Sequence, residues 1–291
     1  MKTIALALTG LAAISAAPAL AETTYLSFGL DYSELSDAGE TLKTTTGKAA
    51  FEGKVNQFTY GAEFVAQKNT LDGDSLSISE ISAILGYDIT SGITAFVGAS
   101  VFEIEGVDVT SLTAGAEYTR GDFTVGAAYI TSESEGVDAD GGQVYVEFDT
   151  SVLDAYLGVA FGDDMDEIYF AGLSRTGHAY EVELDVIGFG DFDVYKMSGS
   201  YNVLADVRLN AAVEHLVVGS NDVTAFSAGA GYMVADDVWL DASYETFDVD
   251  GVSVDGFGVT LSYETGGRRL RASERLTTGY DYIDALPLFA G

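Results

Sequence analysis

Gly231-Tyr-Met-Val-Ala-Asp-Asp-Val-Trp-Leu-Asp-Ala-Ser-Tyr244 reads as a strand end, a tight polar turn and the start of the returning strand. After the turn, Val238, Leu240, Ala242 and Tyr244 share one face, and Trp239, Asp241, Ser243 and Glu245 share the other. That two-residue alternation marks a strand with one apolar and one polar side. The cassette recurs at Tyr87, Tyr118, Phe148, Tyr201 and Tyr263, each placed just before a turn. Tyr201, Tyr232 and Tyr263 are spaced 31 residues apart, as are Tyr87 and Tyr118, and 31 residues with a central turn make one β-hairpin. The chain therefore stacks hairpins side by side.

Outward from that stretch, sixteen strand candidates follow: 24–33, 43–54, 57–67, 76–88, 93–104, 107–119, 123–132, 142–149, 152–161, 167–174, 178–187, 192–202, 206–217, 223–233, 238–247 and 252–264. Most reach the roughly 9–11 residues that a tilted strand needs to cross a bilayer. No segment beyond the N-terminus has the apolar run of a spanning helix. The expected fold is all-β, a closed antiparallel transmembrane β-barrel of about 16 strands, with 14 or 18 as alternatives and a soluble two-sheet protein as the competing class. One set of connections reads as tight, including 55–56, 120–122 and 234–237. The other set reads as longer and more acidic, including 34–41, 68–75, 133–141 and 247–251. Long loops on the outer side and short turns on the periplasmic side would then set the topology.

Residues 1–21 read as a cleaved Sec-type signal peptide, with Lys2 before an apolar run and Ala19-Leu-Ala21 as the cleavage site. The barrel is expected over 22–264. Residues 265–291 are either a periplasmic tail or one or more closing strands, because Pro287 argues against a paired strand there. The 291-residue chain has no Cys, which excludes a disulfide scaffold and thiol chemistry. Its formal net charge of −33 argues against nucleic acid, whose phosphates need clustered Lys and Arg.

The leader ending Ala-Pro-Ala-Leu-Ala21, the opening Thr24-Tyr-Leu-Ser-Phe-Gly-Leu-Asp-Tyr32 and the Tyr-turn-strand cassettes together resemble alphaproteobacterial outer-membrane porins and porin-like barrels. The resemblance covers the whole mature chain as a pattern. It implies a Gram-negative outer-membrane location amid lipid and lipopolysaccharide, passive transport of small hydrophilic solutes or ions, and a homotrimer. Two features depart from it. No connection is long enough to fold into the barrel as a constriction, and the chain ends Phe289-Ala-Gly291 rather than on an aromatic residue.

Alternation assigns the lumen, since a charge on the lipid face costs a few kcal/mol at mid-membrane. The expected pore-lining residues are Lys48, Glu52, Lys54, Glu63, Glu181, Glu183, Asp185, Lys196, Arg208, Glu214, Asp241, Glu245, Arg269 and Arg271. Many are acidic, which points to mild cation preference. A lumen filled with paired charges, in a structural or adhesive barrel that does not conduct, is the alternative. Tyr87, Tyr118, Phe148, Tyr201, Tyr232 and Tyr263 are the expected interfacial girdle.

No cofactor is implied. Acidic stretches at Asp72-Gly-Asp74, Asp138-Ala-Asp140 and Asp163-Asp-Met-Asp166 offer oxygens for Ca²⁺ but lack EF-hand spacing, so solvated acids are the preferred reading. The two histidines, His178 and His215, form no Ser/His/acid set, so an enzyme is not expected.

Overall fold

The computed structural model describes residues 22–37, 40–162, 165–219, 221–249 and 252–266. The leader and 267–291, with Arg269 and Arg271, lie outside the described residues.

Sixteen strands follow one another: β1 (Glu22–Asp37), β2 (Glu40–Val55), β3 (Phe58–Leu71), β4 (Asp74–Thr90), β5 (Ile93–Ile104), β6 (Val107–Arg120), β7 (Phe123–Ser134) and β8 (Val137–Asp149). The second half comprises β9 (Leu153–Gly162), β10 (Met165–Thr176), β11 (Tyr180–Phe189), β12 (Phe192–Leu204), β13 (Val207–Val218), β14 (Asn221–Ala235), β15 (Val238–Val249) and β16 (Val252–Gly266). Each pairs antiparallel with its sequence neighbours. β1 pairs with β16 from Tyr25↔Gly266 through Ser36↔Asp255, so the sheet closes without residues 267–291. Closure leaves no free sheet edge.

The expectation of longer connections on one side is overturned. Consecutive strands are separated by at most three residues at either rim. Stretches that read as acidic loops are strand up to a two-residue turn: 133–134 belong to β7, and 137–141 to β8. The reason lies in the turn chemistry. Asp72-Gly73, Glu105-Gly106 and Glu135-Gly136 each place both central residues at positive φ. That is the type I′ geometry, whose twist matches the flanking strands and allows the tightest hairpin. Loop length therefore carries no topological information. The rim that bears the start of β1 and the turns at 56–57 and 121–122 is called the N-terminal rim here, and the opposite one the far rim. The hairpin cassettes at the N-terminal rim share a further device: register shifts follow Tyr87, Tyr201 and Tyr232, between Asp88 and Thr90, Asn202 and Leu204, and Met233 and Ala235. These β-bulges twist the strand ends as they enter the turn.

The two faces of the wall differ as alternation demands. The outer face carries exposed Ile81, Leu85, Val97, Leu112, Tyr129 and Leu157 in a belt around its middle. Ionisable outer-face residues, among them Glu34, Lys43, Glu103 and Arg120, sit toward the rims. Tyr87, Tyr118, Phe148, Tyr201, Tyr232 and Tyr263 lie on that outer face, a few residues from the N-terminal rim. The inner face holds most of the buried residues, where concave curvature crowds side chains together.

Candidate functional site

The inner face, the one surface on which the chain concentrates buried charge, is the candidate site. Strand parity places Lys48, Glu52 and Lys54 of β2, and Glu63 of β3, on it. Glu181, Glu183 and Asp185 of β11 and Lys196 of β12 follow, then Arg208 and Glu214 of β13, and Asp241 and Glu245 of β15. Asp185, Lys196 and Glu214 stand on one hydrogen-bonded rung, each directly opposite the next. Lys196 thus stands between two carboxylates at cross-strand spacing, where unlike charges favour one another. Lys54 reaches across β3 to Asp88 (2.9 Å), and Thr94 Oγ1 donates to the same carboxylate (2.8 Å). Thr24 Oγ1 donates to Glu52 (3.4 Å), and Ser243 Oγ to Glu245 (3.0 Å). Glu181 and Glu183 are exposed near the N-terminal rim.

The strongest local arrangement centres on Asp241. Arg208 donates to both of its carboxylate oxygens, at 2.8 and 2.5 Å, and Asn210 Nδ2 adds a third bond at 2.9 Å. The guanidinium also lies 4.4 Å from the Trp239 ring centroid, within cation–π range. Between Arg208 and Asp241 runs β14, and the residue opposite both is Gly231. A Cβ on Gly231 would fall 2.2 Å from Asp241 Oδ1. The bidentate bond crosses an intervening strand only because that strand offers bare backbone.

The same construction appears twice more. Tyr145 of β8 lies over Gly126 of β7 and donates to Glu117 of β6 (3.0 Å). Tyr156 of β9 lies over Gly172 of β10 and donates to Asp185 of β11 (2.5 Å). Cβ atoms at these glycines would come within 2.1 and 2.3 Å of the rings. Each long side chain lies along the wall and fixes an acid two strands away, which keeps it out of the bore.

Tyr145, Tyr156, Glu117 and Asp88 are inner-face residues that the sequence analysis did not single out. Parity with Gln143 and Glu147 was the available signal for Tyr145. The inner face is not polar throughout. Toward the far rim it is apolar on two arcs. On β10 to β13, Phe170, Ile187, Val194 and Leu216 form one rung, with Ile168, Phe189 and Phe192 in the next. On β3 to β6, Val65, Ile78 and Phe102 cluster with Leu76, Ile104 and Val109. The charged rung Asp185–Lys196–Glu214 lies immediately on the N-terminal side of the first arc.

The remaining candidates are dispersed. His215 points outward beside Tyr195, its Nδ1 2.9 Å from Thr224 Oγ1, and His178 is exposed in the β10–β11 connection. Among the described residues no three His, Asp or Glu side chains converge as a cation site. Asp138 and Asp140 lie within β8, Asp72 lies in a turn, and residues 163–164 fall outside the described residues.

The closed, antiparallel sixteen-strand barrel is a fold that this chain shares with solved porin structures. Solved structures with this fold include engineered variants of the Rhodopseudomonas blastica porin. Two of its triple mutants, each with two introduced tryptophans, give a TM-score of 0.52 at 15% identity, over 84% of this chain and 99% of theirs. A double mutant with a single introduced tryptophan gives 0.51 over the same shares. At this identity the likeness is one of fold. No family model and no curated protein matches the sequence.

Proposed function

We propose that the chain is a passive, porin-like channel of a Gram-negative outer membrane, passing small hydrophilic solutes and ions with mild preference for cations. The observation that carries this reading is the charge of the inner face. Among the described residues, acids such as Glu52, Glu117, Glu147, Asp185 and Asp241 outnumber the bases there, which are Lys48, Lys54, Lys196 and Arg208. A wall of net negative charge raises the local cation concentration and sets the sign of selectivity. Sixteen strands give a circumference that leaves an aqueous bore, and the side chains laid flat over glycines preserve it. No bond is made or broken, so mechanism here means bore width and wall charge. The apolar outer belt suits lipid, and the aromatic residues near the N-terminal rim suit one bilayer interface, with lipopolysaccharide and lipid as the surrounding partners.

A second reading, a structural barrel that does not conduct, has one observation in its favour. Inner-face Gln67, Gln143 and Glu147 are each only 1% exposed, so the wall along β3 to β8 is closely covered by its own side chains. Conductance of the refolded mature chain in planar bilayers under a salt gradient separates the two. The channel reading expects discrete steps that scale with salt and a reversal potential of cation-selective sign. An inserted barrel that never conducts would leave the structural reading standing.

A further inference from the structure

The outer wall is not smooth everywhere. Val182, Gly199, Ala211, Ala228 and Tyr244 form one outer-face rung across β11 to β15, each directly opposite the next. The three middle members carry at most a methyl group, and they floor an open groove of about 520 Å³. The next rung toward the far rim holds the bulkier Met197, Val213 and Phe226, and the next toward the N-terminal rim begins with Tyr201 and Leu209. Met197 (49%), Phe226 (51%) and Tyr244 (56%) are half exposed, so the walls are open to a ligand. The groove runs obliquely. Counted from the N-terminal rim, Val182 is the third residue of β11 and Tyr244 the seventh of β15. It therefore climbs from beside the Tyr180–Tyr201 pair toward mid-wall, over about 19 Å at the usual strand spacing.

Charge singles out the end of the groove nearest the N-terminal rim. Val182 stands opposite Arg175 of β10, an exposed outer-face residue with no ion pair among the described residues. Near that rim the described outer face of the strands carries Arg120 and Arg175 and no acid. Near the far rim it carries Glu103 opposite Asp108, and Glu133 opposite Asp138. An anionic head group is therefore favoured at one interface and repelled at the other.

We propose that the groove seats one acyl chain of an anionic glycerophospholipid, whose phosphate rests at Arg175. A guanidinium matches a phosphate with paired donors, and Tyr180 and Tyr201 mark the level at which head groups lie. Once its slope is allowed for, the groove covers about the hydrocarbon depth of one leaflet, roughly 15 Å. A chain laid there touches a floor and two walls, where a smooth belt offers one surface. The inference rests on the membrane setting of the channel reading and not on conduction.

The test is native mass spectrometry of the refolded mature chain in detergent, offered equal amounts of dioleoyl phosphatidylglycerol and dioleoyl phosphatidylcholine. One retained phosphatidylglycerol per barrel is expected, favoured about fivefold, as one basic residue beside an anionic head group supports. Arg175→Gln should erase that preference, and Arg120→Gln, away from the groove, should preserve it. Ala228→Leu, which fills the groove with apolar bulk, should lower retention of both lipids. Equal retention of the two lipids by the unaltered barrel would overturn the proposal, whether or not any variant folds. If Ala228→Leu instead splits an oligomer and leaves lipid retention unchanged, the groove is an interface between copies and the lipid site falls. A chain that stays dispersed without detergent and retains neither lipid would remove the membrane setting as well.

Discussion

A glycine in the wall of this barrel works through what lies above it. Gly126, Gly172 and Gly231 are each crossed by a side chain that bonds an acid on the strand beyond. Gly126→Ala would bring a methyl group within 2.1 Å of the Tyr145 ring and drive it off Glu117. Overpacking and a lost bond together should cost about 1–3 kcal/mol, read as a lower urea midpoint in detergent with an unchanged slope. Tyr145→Phe, which keeps the ring and loses only the hydroxyl, should cost about 1 kcal/mol. The sequence makes half of this arrangement visible. Parity assigns Asp241 and Arg208 to the inner face, but their meeting depends on the register of β13, β14 and β15 together. Alternation carries no register between strands that are not neighbours.

At the level of the hairpin, the turns decide both length and stability. Gly106 has φ of +83°, and a Cβ there meets nothing within 4 Å, so Gly106→Ala tests the backbone alone. The expected loss is about 1 kcal/mol, measured by the same unfolding midpoint. Strand count and most strand positions were legible because Tyr87, Tyr118, Tyr201 and Tyr232 each mark one hairpin end. Strand ends were not. Acids and glycines usually signal a loop, yet in Glu133-Ser-Glu-Gly-Val-Asp138 only Glu135 and Gly136 turn, and the rest remains paired. Outer and inner faces also make a prediction for β6. Leu112→Arg, on the exposed apolar belt, should cost about 2–4 kcal/mol for folding into vesicles. Thr113→Arg, on the inner face, should cost far less. Equal penalties for the pair would contradict an outer face turned to lipid.

Taken whole, the described barrel is sixteen strands, and among them only β1 and β16 meet from distant parts of the chain. Every other pairing between strands is made by immediate neighbours in sequence. The barrel should therefore assemble as a growing sheet whose last event is the β1–β16 seam. A chain truncated before β16 should retain strand content by circular dichroism yet lose the protection from added protease that a closed wall gives. The homotrimer implied by the resemblance is tested by mass measurement in detergent, with three chains per particle expected. A closed barrel could be expected because alternating strands long enough to cross a bilayer cannot leave an unpaired edge there. The apolar arcs could not, because one alternating pattern describes a strand with hydrocarbon on both faces only where the polar series lapses, as at Ile187 and Phe189 of β11.

The brevity of the connections has a consequence for how other organisms meet this protein. Antibodies, phage tail fibres and proteases usually grip a membrane barrel by segments that stand clear of the bilayer. Among the described residues strand follows strand with at most three residues between, so in the proposed outer-membrane setting this part of the chain would offer those agents hairpin tips alone. A barrel displayed in that way would give little away, and selection for escape would find almost no loop sequence between its described strands on which to act.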